Sequence, residues 1–408
     1  MRKLFSIVLL ALTSAIMAQQ TITINVTNPS RSARSDEPVV INLTTYGNIR
    51  SALVTTNGQE IPCQLDDINQ DETLDELCFL VDLKGKEKKQ YNVTLYTEGE
   101  PRSYPARVFA EMLVRNDKVK EKNKHNNFLE SITVRGDCAN SYNIQHHHGV
   151  DFESELNGIR IYFDKRQTLD LYGKFKKRLE LEATQFYTSE EQKTEGYGDD
   201  VLWVGNTFGL GAFRGWDGQE PTMIDPVRSR TQRIISYGPL RTIVELIDRG
   251  WQAPSHNNPH PTPLNMTVRY TQYAGHRDTD VDVFFNRSVS GYLFSTGIIN
   301  VKNSVEYSDG NGLRACWGTD WPSSDTIKFK RETVGLGIYI PMKYVKSEKP
   351  ANKDNYAFVV GTTDNHLQYH VIYCSDNETF GYHSAKEWFE FLKEWKKEVV
   401  EKPIMVKY

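Results

Sequence analysis

The sequence predicts a mainly β protein: a small N-terminal β-sandwich module, then a large β-rich part, then one amphipathic helix near the C-terminus. Three observations predict it. Apolar residues alternate with polar ones at period two along most patterned stretches, as in Ile22, Ile24 and Val26, which marks half-buried strands. Turn residues such as Asn57-Gly58 separate these stretches. Only the segment after Ser384 carries a clear apolar stripe at helical spacing.

The N-terminal module spans residues 19–107. Pro38 to Leu43 forms a second strand, and Tyr91, Val93 and Leu95 close the set. Within it, QLDDINQDETLDELCF places Asp67, Asn69, Asp71 and Asp75 at positions one, three, five and nine of a calcium-loop pattern. Glu72 stands where such loops have glycine, and Cys78 stands at position twelve, so a standard EF-hand is excluded. A shorter structural calcium loop competes with an acidic hairpin turn, and the turn is favoured. The five cysteines are too widely spread for a disulfide framework. Whether Cys63 pairs with Cys78 across their hairpin is left open.

The large part covers residues 108–383. Its charged run Lys118 to Asn127 reads as a mobile loop. The stretch Gln145 to Phe175 is the hub. Ile159, Ile161 and Phe163 alternate with Arg160, Tyr162 and Asp164, and Leu169, Leu171 and Phe175 with Asp170, Tyr172 and Lys174. If both apolar sets face one core, paired residues must sum to an even number, which requires an odd loop. Lys165 to Gln167 is such a loop. It pairs Ile161 with Leu171, Arg160 with Tyr172 and Tyr162 with Asp170. An Arg, Tyr and carboxylate cluster then lies on the other face, rich for a merely solvated surface.

Three histidines precede these strands. In an extended chain His146 and His148 share a face while His147 points away. Such a pair can hold a transition metal with Glu153 or Glu155, but a sugar-binding or acid/base role is preferred, since imidazole titrates near neutrality. Glu180 to Gly198 reads as irregular, and Asp200 to Val204 as a buried strand. The glycine-rich GNTFGLGAFRGWDG carries Arg214 and Trp216, and GNGLRACWGTDW carries Trp317, aromatic platforms on which a sugar can stack. No helix pattern follows the first loop, so it is no phosphate-binding fingerprint. Strands follow at Arg241–Ile247, Met266–Tyr273, Thr279–Phe285, Leu336–Ile340 and His370–Tyr373. The Pro- and His-rich QAPSHNNPHPTPL lies between the first two. Residues 384–408 form a helix and tail packed on the sandwich. Ser384 and Glu387 make a capping box, and Trp388, Phe391, Leu392, Trp395 and Val399 form the docking stripe.

The net charge of −4 argues against a nucleic-acid partner. Met1 to Ala18 has two basic residues, an apolar run and small residues, the pattern of a secretory signal peptide, with no cysteine for lipidation. No later stretch is apolar enough to span a bilayer. A periplasmic or secreted soluble protein is expected, with no required cofactor beyond the candidate calcium and no oligomeric state fixed by the sequence.

Two enzyme classes fit the hub. In a lyase acting on uronic acids, a cation neutralises the carboxylate, a His or Tyr removes the adjacent proton, and a Tyr protonates the leaving oxygen. In a glycoside hydrolase, two acids flank the bond at about 5–9 Å from each other, drawn from Glu153, Glu155, Asp170 and Asp200. No G-x-S-x-G elbow is present. The candidate catalytic residues are His148, Arg160, Tyr162, Tyr172, Lys174 and Glu153. His146, His147, Asp170, Arg214, Trp216 and Trp317 are candidates for binding an oligosaccharide or polysaccharide.

The run HHHGVDFESELNGIRIYFDKRQTLDLYGK, followed by DVLWVGNTFGLGAF, resembles a family of exported bacterial proteins defined by a domain of unknown function. Its genes lie in polysaccharide-utilisation clusters, beside pectin lyases and unsaturated glucuronyl hydrolases. The resemblance covers nearly all of the chain after the signal segment. It implies that the large part is an antiparallel β-sandwich similar to galactose-mutarotase-like domains, and it supplies no catalytic residue. The combined expectation is an exported carbohydrate-active protein cleaving uronic-acid-containing, pectin-type oligosaccharides by elimination or hydrolysis. The alternative is a non-catalytic sugar-binding protein of the same system.

Overall fold

The structure is a computed structural model that describes residues 19–255 and 261–408. The candidate signal segment Met1–Ala18 and part of the QAPSHNNPHPTPL loop lie outside the described residues. The described residues are mainly β and antiparallel, with a single longer helix among them, near the C-terminus. No helix among the described residues is long and apolar enough to cross a membrane.

The N-terminal strands form a five-stranded and a three-stranded sheet. Alternation places Ile24, Val26, Val54 and Val93 from one, and Val39, Ile41 and Phe79 from the other, in a common core. All five cysteines are free thiols. The register explains why Cys63 and Cys78 do not meet: Cys63 lies opposite Phe79 and Cys78 opposite Gln64, so the two side chains leave on opposite faces.

The acidic loop folds on itself. Asp67 accepts hydrogen bonds from the amides of Gln70, Asp71 and Glu72, and Asp75 from those of Ile68 and Asn69. Asp71 caps Thr73, and the Asn69 amide leans on Asp75 at 3.5 Å. Glu72, at the calcium loop's glycine position, has φ 67°, so the sharp turn forms without glycine. These carboxylates hold the turn through their own backbone amides.

The large part contains a nine-stranded sheet and two five-stranded sheets. One five-stranded sheet contains the hub strands Gly149–Ser154, Gly158–Tyr162 and Leu169–Gly173, between Val108–Glu111 and Asp199–Asp200. Its Phe152, Ile159, Ile161, Leu169 and Leu171 enter one core with Val244, Val268, Val281 and Tyr369 of the nine-stranded sheet. The hub hairpin keeps the expected parity but not the expected register. Ile159 faces Leu171, Arg160 faces Asp170 and Ile161 faces Leu169. The Tyr162 amide bonds the Thr168 carbonyl, so the odd loop has five residues rather than three. It is shaped by Asp164, which accepts from the Arg166 amide, and by Gln167 at φ 46°. Asp200 to Val204 is not a strand: pairing stops after Asp200, and Trp203 is 55% exposed.

The helix Ala385–Trp395 docks as its stripe requires. Trp388, Leu392 and Trp395 are buried against Leu313, Ala315, Ile372 and Cys374. Gly335 and Gly337 cut the groove that receives it: a Cβ at Gly335 would meet Trp388 at 2.9 Å, and one at Gly337 would meet Leu392 at 3.1 Å. Ser384 caps the Glu387 amide at 3.3 Å, while the Glu387 carboxylate reaches back to the His383 amide, one residue beyond a capping box. The tail does not stay on the large sandwich. Met405–Lys407 pairs with the first strand, Val26 opposite Val406, and Arg34 bonds the carbonyls of Glu398 and Lys402.

Buried polar contacts also join the N-terminal strands to the large part. Arg241 bonds Asp66 and Glu76, each at 2.8 Å, and Arg107 bridges Asp36 and Glu155. His276 sits in this seam, with Nε2 at 2.9 Å from the Asp36 carbonyl and Nδ1 at 3.3 Å from Asp278. Burial opposes its protonation, but the hydrogen bond and charge of Asp278 and the charge of Glu37 raise it to about 9. Arg34 faces Glu37, and His370 faces Asp278. The folded value exceeds the ordinary 6.5, so the stabilisation is complete below that pH and is lost as pH rises through the folded value. Melting temperature is expected to fall between pH 7 and 10, and His276→Gln to flatten that slope. An unchanged slope in the variant would remove His276 from the account.

Candidate functional site

The polar face of the hub sheet is interior, not a solvent-facing platform. The segment 174–200, with its short helices Leu181–Thr184 and Glu190–Thr194, folds over it. Lys174 and Glu153 are 0% exposed and form an ion pair at 2.5 Å. Lys174 also donates to the carbonyls of Ser154 and Arg178, so its three protons are spent. Glu153 accepts in addition from the amides of Glu180 and Leu181. The Tyr172 hydroxyl donates to the Gly198 carbonyl at 2.7 Å. Asp170 binds the Tyr162 hydroxyl and Arg160, each at 2.6 Å, and Arg160 reaches Asp200 at 3.1 Å with Phe186 stacked on its guanidinium at 4.0 Å. The cluster expected from the hub exists, but it is packed.

The histidine tract is not extended. His148 has φ 70° and the chain reverses there, so the three rings go to three places. His146 stacks on His125 at 3.6 Å, His148 stacks on Tyr142 at 3.8 Å, and His147 is fully buried. His146 and His148 line a cavity of about 440 Å³ with Arg115, Lys120, Lys122, His125 and Tyr187. Burial lowers both histidines to about 4, helped by the charge of His125 beside His146 and of Arg160 near His148. The His148 Nδ1 lies 3.0 Å from the Tyr142 carbonyl. A carbonyl only accepts, so Nδ1 carries the proton and the Nε2 lone pair is free.

A second cavity lies on the Tyr142 side of the stacked His148 and Tyr142 rings. Tyr142 and Arg166 line this cavity of about 460 Å³. The Arg166 guanidinium lies 4.7 Å from the Tyr142 ring and 4.8 Å from that of Tyr162. Asn206 lines this cavity and the next, of about 580 Å³, which holds the exposed Trp203 and one face of Arg214. Arg214 is 2% exposed and bonds Thr168 and the Thr207 carbonyl, and burial lowers it to about 10. Trp216 is not a platform: it is 4% exposed. Trp317 packs against the C-terminal helix.

Two sets of potential metal ligands occur among the described residues. Asp278, Asp280 and His370 are half-buried and already paired, His370 with Asp280 at 2.7 Å. Glu111, His147 and Asp151 are buried, with His147 Nε2 3.4 Å from Asp151 and 3.7 Å from Glu111. Sequence reasoning missed Glu111, Tyr142, Tyr187, His125 and Trp203. Glu111 had a signal, a lone acid inside the apolar run VFAEML. The run Lys118 to Asn127 supplies Lys120, Lys122 and His125 to the groove wall, and its polar pattern marks only a loop.

Fold and site together define an antiparallel β-sandwich protein with a histidine- and tyrosine-lined groove. The chain belongs to the family described as Domain of unknown function (DUF4861), whose model matches residues 26–406. A search of curated proteins finds no match. Among solved structures, the chain is similar to a protein in the glycosyl hydrolase family 38 from Enterococcus faecalis, with a TM-score of 0.49 and 9% identity over 94% of this chain and 47% of that one. It is similar also to an alpha-mannosidase from Enterococcus faecalis, with a TM-score of 0.48 and 9% identity over 95% of this chain and 46% of that one. The chain thus spans about half the length of each.

Proposed function

We propose that the protein is an exported carbohydrate-active enzyme that cleaves uronic-acid-containing oligosaccharides of the pectin type by elimination. One observation carries this reading. One cavity holds Arg115, Lys120 and Lys122 together with the open lone pair of His148, and a further cavity holds the exposed Trp203 as a stacking surface. Cations at one point and an exposed aromatic face at another suit a chain of sugars bearing a carboxylate. Hydrolysis has less support: Glu153 and Asp170 are buried and bonded, and Glu155 is held by Arg107 and the Gly275 amide.

In this reading the lysines and Arg115 neutralise the uronate carboxylate, which acidifies the adjacent C–H. His148 Nε2 takes that proton. The electron pair forms the new C=C bond as the C–O bond to the leaving sugar breaks. Tyr187, whose phenol burial keeps protonated, gives its proton to the leaving oxygen and regains one from water. Arg160, Tyr162, Tyr172, Lys174 and Glu153 act as the packed support of this wall.

The test is incubation with a panel of pectic oligosaccharides, following ultraviolet absorbance of the conjugated double bond and product masses together. Products without added water, lost in His148→Gln by about 10²–10⁴-fold in kcat with binding retained, are the expected result. Products that gain water would replace elimination with hydrolysis. Oligosaccharides that bind without any product would make the protein a sugar-binding module.

A further inference from the structure

Glu111, His147 and Asp151 form an unsatisfied polar cluster inside the protein. Asp151 lies directly opposite Glu111 on neighbouring antiparallel strands, an arrangement in which like charges repel. His147 enters the same space four residues before Asp151. Their exposures are 3%, 0% and 0%. Among the described residues, no oxygen of either carboxylate and neither nitrogen of the His147 ring has a hydrogen-bond partner. The nearest backbone groups, the Glu111 amide toward Asp151 and the Gly149 carbonyl toward His147, lie outside hydrogen-bond geometry. Of the neighbouring cations, Lys174 is held by Glu153, and Arg160, opposite Asp151 on the next strand, gives Nη2 to Asp170 and Asp200 and forms no hydrogen bond to Asp151 with its Nε or Nη1. Buried polar groups are almost always satisfied, so a His147 Nε2 and two carboxylates that converge without partners need one.

We propose that these three residues bind a first-row divalent cation, zinc by their geometry. The donor set, one imidazole and two carboxylates, suits such an ion. Tetrahedral zinc with bonds of about 2.1 Å holds its donors about 3.4 Å apart. The His147 nitrogen stands 3.4 and 3.7 Å from the two carboxylate oxygens, and the ligand atoms all lie within 4.8 Å. The ion pins the histidine tract to the sheet through its middle member. His146 and His148, on either side, are thereby held in the groove wall. The proposal stands without the sugar reading, and its test uses no sugar.

The full chain is stripped with a chelator, reloaded with zinc or manganese and dialysed, and its metal content and melting temperature are measured. About one ion per chain is expected, with a melting temperature that falls on chelation and recovers on reloading. Glu111→Gln and Asp151→Asn are expected to lose the ion, while Asp280→Asn at the half-buried set keeps it. Loss of the ion in Asp280→Asn alone would overturn the assignment. So would a Glu111→Gln variant more stable than the unmodified chain, the mark of two carboxyls sharing a proton. If the variants fail to fold, the unmodified chain still decides: a melting temperature indifferent to chelator and zinc overturns the site.

Discussion

Replacing Lys174 with methionine is expected to destabilise the protein by about 3–5 kcal/mol, the cost of breaking a buried ion pair from one side. Among the described residues the ammonium is the only cation bonded to Glu153, and both side chains are 0% exposed. Burial raises the Glu153 carboxyl, and the charge of Lys174 opposes that rise. Without the lysine, a carboxylate held by the Glu180 and Leu181 amides must stay charged in the interior or take up a proton. Adding Glu153→Gln removes the stranded charge and should restore much of the loss. Urea unfolding of both variants reads this directly. A single variant within about 1 kcal/mol of the parent would mean the pair is not desolvated as described.

Trp388→Ala is expected to cost about 3–5 kcal/mol. Trp388 is fully buried, its Nε1 donates to the Leu336 carbonyl at 3.2 Å, and its ring lies in the groove at Gly335. A glycine groove cannot collapse onto the space, because the backbone on its floor is fixed in the sheet. The helix should lose its dock, seen as faster amide exchange across Ala385–Trp395 and a lower unfolding midpoint. Exchange confined to the helix, with the rest protected, would show that it detaches without opening the sandwich.

The strands and the helix were legible because their burial follows a period. Ile159, Ile161, Leu169 and Leu171 point into the core as alternation requires, and Trp388 and Leu392 fall on one helical face. The register of the hub was legible only to its parity. Residues 163–167 contain no Gly or Pro, so nothing local marks a five-residue turn carried by Asp164 and Gln167. The opposite face was misjudged for another reason: Arg160, Asp170 and Tyr172 alternate identically whether water or a polypeptide segment covers them. The histidines required the left-handed backbone of His148, which an L-residue rarely adopts and no neighbour announces. The cavities are assembled from segments distant in the chain, such as Lys122, His148 and Tyr187, and no spacing links them.

The strand Met405–Lys407 gives the N-terminal sheet a second tether to the remainder of the chain, besides the connection through residues 97–107. A body held by one flexible string can tumble about that point. A body held at two points can only swing about the line between them, like a door. The Arg241, Asp66 and Glu76 contacts act off that line as a latch. The N-terminal sheet is therefore restrained against both rotation and swing relative to the rest of the chain.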